Sequence, residues 1–168
     1  MRKKQNLMVL AIGLGLLTGA AAAYENRDFH GQLAGSAVGE HVAGVPSGGA
    51  PWVVANSEFN ITANGRIQVE FRGLVISTGA FINTVGPVTM VNASLACNDV
   101  VVATTIAVPL SSGGDASIHD QITVPARCIA PALLIRIAAT TKGPVANGPF
   151  IAVNALAGST QAGDDHDH

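Results

Sequence analysis

The sequence predicts an all-β fold, an antiparallel β-sandwich of about seven strands of the Ig-like or Greek-key type, with one disulfide bond. Three observations support this fold class. Apolar and polar residues alternate along several short segments, and no helical period is sustained. Turn-forming residues interrupt these segments about every 8–12 residues. The chain also has two cysteines and begins with a pattern typical of exported proteins, in which disulfides persist.

The N-terminus has the three parts of a cleavable secretory signal over residues 1–23. Residues 2–4 are basic, residues 7–17 are apolar, and residues 21–23 are alanines that precede a cleavage site before Tyr24. An uncleaved membrane anchor is the alternative, but a spanning helix needs about 20 apolar residues, and glycines interrupt this run. We therefore predict a secreted, periplasmic or extracellular protein that is not inserted in a membrane after cleavage.

The mature chain is predicted to have a folded middle and two flexible ends. Residues 24–50 are rich in Gly, Ala and Ser without a sustained period, which indicates a flexible arm. The β-sandwich domain is expected over residues 51–156, followed by a disordered acidic and histidine-containing tail over residues 157–168. Trp52 is interpreted as a lid over one end of the core, with an exposed binding platform as the alternative.

The first hairpin of the domain has a register that the residue pattern selects. Residues 66–76 begin with strict alternation of apolar and polar side chains, which indicates a strand with one buried face. A two-residue turn at Asn64-Gly65 would mix apolar and polar residues on one face. A three-residue loop over residues 63–65, with Gly65 in a left-handed conformation, separates the faces. This register pairs Ile61 with Ile67, Phe59 with Val69 and Ser57 with Phe71.

A second hairpin is predicted from residues 90–97, which alternate along the strand, and residues 100–106, which are rich in β-branched residues. A two-residue turn at Asn98-Asp99 would join these strands. The apolar faces agree in the register that follows from this turn, in which Leu95 pairs with Val102 and Val91 pairs with Ile106.

Three further strands are predicted over residues 116–124, 133–137 and 150–155, separated by Pro- and Gly-containing turns. Cys97 and Cys128 are expected to form a disulfide, because an even cysteine count in an exported chain favours pairing. A metal or redox pair is the alternative, but neither cysteine has the close second ligand that such sites use. Closing this loop would contribute about 3–4 kcal/mol.

Charge excludes two classes of partner. Removal of the signal leaves six basic and eleven acidic residues, a formal charge of about −5. Only 12% of the whole chain is charged, against about 25% in an average soluble domain. Nucleic acids and anionic membranes are bound by clustered Lys and Arg, so neither is an expected partner.

The densest group of metal-ligating residues lies in the C-terminal tail. Carboxylates and imidazoles together bind zinc, copper or nickel. Ordering a flexible tail around an ion costs about 1–2 kcal/mol per residue, so a solvated acidic tail is the favoured interpretation. Metal binding by the tail, assisted by His30 or His41, is the alternative. The candidate ligands are Asp164, Asp165, His166, Asp167 and His168.

No residue is assigned a catalytic role, and no cofactor is expected. His119 shares a face of its strand with Ser117, while Asp120 points to the opposite face. Because a Ser-His-Asp triad needs three convergent groups, we interpret these residues as surface positions. Glu58 and Glu70 are expected to lie close together on the outer face of the first hairpin. Ordinary surface charge is favoured there over a paired-carboxylate glycosidase site.

Six short segments carry a resemblance to a group of known proteins. They are Pro51-Trp52-Val53, Gly65-Arg66-Ile67, Arg72-Gly73-Leu74-Val75, Leu95-Ala96-Cys97, Gly114-Asp115-Ala116 and Cys128-Ile129-Ala130-Pro131. Through them, residues 48–155 resemble uncharacterised secreted bacterial proteins. That group has no assigned activity, so the resemblance implies no residue roles.

Three functional hypotheses follow. The first is a non-enzymatic exported module with a binding or envelope-associated role and an extracellular protein or glycan partner. It rests on the low charge and on the lack of convergent catalytic residues. The second is a secreted metal-binding protein that uses the Asp/His tail. The third is a hydrolase with an unfamiliar site near His119.

Overall fold

The structure, a computed structural model, describes residues 28–154, and these form strands, turns and loops. All strand pairs within the sheets are antiparallel. Over this range no helix is long and apolar enough to cross a membrane. The strands are β1 (Phe29–Gly31), β2 (Leu33–Gly35), β3 (His41–Val42), β4 (Val45–Pro46), β5 (Trp52–Val53), β6 (Asn56–Ile61), β7 (Arg66–Arg72), β8 (Val75–Ile76), β9 (Val88–Cys97), β10 (Val100–Thr104), β11 (Val108–Pro109), β12 (Ala116–Gln121), β13 (Ala132–Thr140), β14 (Gly143–Pro144) and β15 (Phe150–Asn154).

Two sheets make up most of the fold. The front sheet has four strands in the order β1-β6-β7-β12. The back sheet has the order β10-β9-β13-β15-β2, with β11 also paired to β9 and β14 paired to β13. The predicted antiparallel β-sandwich is confirmed. Its seven predicted strands correspond to β6, β7, β9, β10, β12, β13 and β15, and the other strands have only two or three residues.

The apolar core lies between the two sheets. In β7, buried apolar residues alternate with exposed polar ones, so Ile67, Val69 and Phe71 face inward and are at most 2% exposed. Leu133 and Ile135 of the back sheet belong to the same cluster and are fully buried. Each buried apolar side chain contributes about 1.5–3 kcal/mol relative to an exposed one, so this interior is the main source of stability.

Trp52 is part of this core. It pairs with Ile76 across β5 and β8 and is only 5% exposed. The alternative interpretation of Trp52 as an exposed binding platform is therefore wrong, because its indole ring is buried among core side chains.

The first hairpin has the register that the sequence predicts. Ile61 pairs with Ile67 and Phe59 pairs with Val69. The loop spans residues 63–65, and Gly65 has a φ of 87°. The Thr62 amide donates to the Arg66 carbonyl at 2.9 Å and closes the loop. Segregation of apolar side chains to one face was therefore sufficient to select this register.

The second hairpin has the predicted turn but a different register. Asn98 and Asp99 both have positive φ angles, 53° and 62°, as a two-residue type I′ turn requires. A β-bulge at Val102 then shifts the pairing, so that Leu95 faces Ala103. The predicted pairing of Leu95 with Val102 is wrong for this reason. The predicted pairing of Val91 with Ile106 is also wrong, because Val91 pairs with Val108 of β11 and Ile106 is 66% exposed.

The predicted flexible arm is wrong for residues 28–50, which contain four strands. β1 pairs with β6 at the edge of the front sheet, and β2 pairs with β15 at the edge of the back sheet. Phe29 stacks edge-on against Phe59, with ring centroids 4.9 Å apart. These strands are too short to show a period of their own, and their partners are distant in sequence. The folded domain therefore already includes residue 28.

The hairpin formed by β3 and β4 lies over the outer face of the back sheet. Val45 packs there against Leu134 and Phe150 in a second apolar cluster. As a result β13 is buried on both faces over residues 133–136. The covering hairpin explains why the predicted strand over residues 133–137 is apolar on both faces.

The predicted disulfide between Cys97 and Cys128 is confirmed. Their Cα atoms are 4.9 Å apart and 31 positions separate them in the chain. The bond ties the end of β9 to the loop between β12 and β13. The predicted signal over residues 1–23 and the tail over residues 157–168 lie outside the described residues and stay predictions.

Candidate functional site

The outer face of the front sheet is polar at every outward position of its four strands. Successive side chains of a strand point to opposite faces of the sheet, so the apolar residues face the core and the polar residues between them face solvent. The cross-strand register places these polar side chains in rows. The outward residues are His30 of β1, Asn56, Glu58 and Asn60 of β6, Arg66, Gln68, Glu70 and Arg72 of β7, and Ser117, His119 and Gln121 of β12.

An open groove of about 640 Å³ crosses this face. Its size falls within the range of about 300–1,000 Å³ that is typical of ligand pockets. Hydrogen-bond donors and acceptors from three strands and from two connecting residues, Gln32 and Asp115, line it. The polar lining includes Gln32, Asn56, Glu58, Glu70, Arg72 and Ser117.

Glu58 and Glu70 lie directly opposite each other on β6 and β7. This confirms the predicted proximity of the two residues on the outer face. Like charges at directly opposed positions of a sheet are destabilising, so the pair stores unfavourable electrostatic energy within the groove. Ser117 of β12 lies opposite Glu70 on its other side and extends the row with a hydroxyl group.

His119 is the histidine nearest to this row. Its Nε2 atom is 2.9 Å from the Ser117 Oγ atom and 3.8 Å from a Glu70 carboxylate oxygen. The carboxylate and the hydroxyl therefore approach the same ring nitrogen. A catalytic triad instead needs the carboxylate on one ring nitrogen and the nucleophile on the other. The side chains of His119 and Glu70 are also more than half exposed, so water surrounds this contact.

Two aspartates near the groove have structural roles. A carboxylate oxygen of Asp115 accepts a hydrogen bond from the Gly73 amide at 3.0 Å and so fixes the end of β7. A carboxylate oxygen of Asp120 accepts one from the Ile106 amide at 2.8 Å. Asp120 is thus directed away from His119, as the alternation of β12 predicts.

The three histidines of the described chain do not converge. His30 and His119 lie at opposite ends of one row, separated by Asn60 and Gln68 on the two central strands. Three strand spacings place them about 14 Å apart, too far to bind a single ion. His41 lies in the β3–β4 hairpin, over the other sheet. Within residues 28–154 no three His, Cys, Asp or Glu side chains are grouped to hold a metal ion.

The candidate ligands Asp164, Asp165, His166, Asp167 and His168 lie outside the described residues, so tail-based metal binding stays a hypothesis. Sequence reasoning did not single out Gln32, Asn56 or Arg72 as groove residues. Asn56 and Arg72 could have been found, because the correct register pairs them on the face of Glu58 and Glu70. Gln32 could not, since its position depends on β1 and β2.

A second, smaller pocket lies beside the disulfide at one end of the sandwich. It has a volume of about 290 Å³ and a mainly apolar lining that includes Phe29, Ile61, Leu95 and Val124. It is separate from the polar groove, because these side chains point between the sheets rather than outward.

Arg136 is a charged side chain buried on the outer face of the back sheet, opposite Asn92 of β9. It is 8% exposed, and its Nε atom donates to the Gly148 carbonyl at 2.8 Å. Burial lowers the pKa of its guanidinium from the ordinary value. Because Arg136 lies on the other sheet, it does not contribute to the polar groove.

Comparison with known proteins adds no assignment to this geometry. No protein-family model matches the chain, and neither curated proteins nor solved structures gave a match.

Proposed function

We propose that the protein is an exported, non-enzymatic binding module whose front sheet binds a neutral, hydroxyl-rich ligand such as a glycan. The observation that carries this proposal is the polar groove of about 640 Å³ on the outer face of that sheet. Export rests on the N-terminal signal pattern, and the disulfide is compatible with an oxidising compartment.

The groove offers the chemistry that sugar hydroxyls require. Glu58 and Glu70 accept hydrogen bonds, whereas Arg72 donates them, and Asn56 and Gln32 do both. A hydroxyl is both a donor and an acceptor, so it complements such a mixed surface. The three carboxylates of Glu58, Glu70 and Asp115 outnumber the single arginine, so the groove favours neutral ligands over anionic ones.

Most of the ligand-facing side chains are held by paired strands rather than by loops. Asn56 and Arg72 pair across β6 and β7, and Glu70 and Ser117 pair across β7 and β12. A preorganised surface loses little backbone freedom on binding. No Phe, Tyr or Trp side chain occupies an outward position of the four front-sheet strands, so sugar stacking on such a ring is not available in the groove. We therefore expect weak binding, with a Kd of about 1 mM or about −4 kcal/mol.

A binding role is favoured over hydrolysis by the contacts of His119. Its Nε2 atom meets both Ser117 and Glu70, an arrangement that does not orient the imidazole as a base for the serine. The hydrolase hypothesis therefore receives no support from this geometry. Activity of the protein that is lost in a His119→Ala variant would nevertheless establish it.

An NMR titration with neutral oligosaccharides tests the proposal. We expect amide shifts confined to residue 32 and to residues 56–60, 68–72 and 115–119. Arg72→Ala should raise the Kd about tenfold, equivalent to about 1.4 kcal/mol, because the groove loses its charged donor. Arg127→Ala is the matched control, since Arg127 is also exposed but lies outside the groove. Shifts elsewhere, or equal effects of the two variants, would contradict the proposal.

A further inference from the structure

The free edge of the back sheet is formed by β10, which pairs with β9 alone among the described strands. A strand at a sheet edge has a row of backbone N–H and C=O groups available to a further strand. β10 has the sequence Val-Val-Val-Ala-Thr, which combines high β-propensity with an absence of charge. After Asp99 no charged residue occurs until Asp115.

Exposed large apolar side chains are concentrated at this edge. Val100 is 60% exposed, Val102 is 39% exposed, and Ile106, just beyond the strand, is 66% exposed. Ile129, held against the hairpin turn by a backbone bond to Asn98, is 54% exposed. Solvent contact of these apolar side chains is unfavourable, and a partner that covers this edge would remove it.

The other edge strands of the two large sheets do not combine a five-residue length with an uncharged, apolar sequence. β1 and β2 have only three residues each. β12 contains the polar residues His119 and Asp120, and the Asp120 carboxylate accepts a hydrogen bond from the Ile106 amide. Lysine, proline and inward charges, which protect edges in many β-proteins, are absent from β10. Its one protective device is the bulge at Val102, which leaves that valine exposed rather than adding charge.

We propose that β10 pairs antiparallel with β10 of a second copy of this chain. An antiparallel pair of identical strands related by a two-fold axis is self-complementary, so Val102 of one copy meets Val102 of the other when the axis passes through the middle of β10. When the axis passes near the middle of β10, Asp99 of each copy lies near the threonines at the far end of the partner strand. The protein has an acidic net charge, and this neutral edge avoids the repulsion that a second copy would meet at charged surfaces.

The dimer should be reversible. A contact through one five-residue strand is smaller than the roughly 800 Å² per partner of a stable interface. We therefore expect association over concentrations from about 10 µM to about 1 mM. The interface is on the back sheet, so this proposal does not depend on ligand binding at the front sheet.

Sedimentation equilibrium of the mature, full-length protein over this concentration range tests the proposal. We expect the average mass to rise from monomer to dimer. Val102→Lys should lower the association constant at least tenfold, because it brings two like charges together at the edge. Ile82→Lys is the control, since Ile82 is 52% exposed but lies in the loop before β9. Unfolding midpoints of both variants show whether each remains folded.

Hydrogen exchange provides a second measurement that locates the contact. We expect slower exchange of the amides of residues 100–104 at high protein concentration than at low concentration. A monomer at all concentrations overturns the proposal. Equal effects of the two lysine variants, or protection confined to other strands, also overturn it. Protection of residues 100–104 that is independent of concentration would instead indicate that a segment of the same chain covers the edge.

Discussion

Gly65 and Gly39 share a left-handed backbone conformation, but only Gly65 lies close to another segment of the chain. Alanine variants at the two positions can therefore separate the free-energy cost of the conformation from that of the close contact. The φ angles of the two glycines are nearly equal, 87° and 83°. A Cβ atom on Gly39 would meet nothing within 4 Å, whereas one on Gly65 would collide with the Ile122 carbonyl oxygen. The Ile122 amide also donates to the Gly65 carbonyl at 2.8 Å, so the backbones lie close together.

We expect Gly39→Ala to reduce the free energy of unfolding by about 1 kcal/mol, the cost of a left-handed conformation for an alanine. Gly65→Ala should cost about 3 kcal/mol, because the hairpin loop must also move away from Ile122. Urea unfolding of the two variants measures the difference. Equal losses would contradict the close approach of the loop to residue 122.

The Glu58–Glu70 pair gives a second prediction at single residues. Glu58→Gln keeps the size and polarity of the side chain but removes one of two opposed charges. We expect it to stabilise the protein by roughly 0.2–1 kcal/mol. The gain should shrink as salt screens the repulsion. A loss of stability in thermal or urea unfolding at low salt would argue that the two carboxylates are not adjacent.

At the scale of strands and hairpins, local alternation was sufficient where partners are close in sequence. It identified seven strands and the register of β6 and β7. It did not identify the bulge at Val102, because Val100, Val101 and Val102 are identical side chains and leave the choice of face to the surrounding fold. Short strands such as β1 and β2 were missed, since three residues show no period and their partners lie far along the chain.

The same limit applies to the candidate site. The proximity of Glu58 and Glu70 follows from the hairpin register alone. The contact of Ser117 with Glu70 requires β12 to pair with β7, and 44 residues of chain, from 73 to 116, lie between the end of β7 and Ser117. Gln32 reaches the groove through the segment taken for a flexible arm. The sequence therefore predicts only part of the groove, because the positions of its other residues depend on pairing between strands that are distant in the chain.

At the scale of the whole molecule, the disulfide joins the end of β9 in the back sheet to the loop that connects β12 of the front sheet with β13 of the back sheet. A double Cys97→Ala and Cys128→Ala variant should lose about 3–4 kcal/mol of stability, since the unfolded chain regains the freedom of the 31-residue separation. Cys97 is 2% exposed, so alanine also leaves some unfilled volume there. Urea unfolding with and without reductant measures the loss, and reductant should not affect the variant.

The pairing of β2 with β15 joins nearly the first described residues to the last, with Leu33 opposite Asn154. A chain that crosses a membrane with its N-terminus leading delivers Leu33 early and Asn154 last. In the export that we propose, the early segment therefore waits, unpaired with β15, until translocation is nearly complete. Folds dominated by such distant pairings form slowly. Under the same proposal, the edge of the back sheet formed by β2 is completed only on the far side of the membrane.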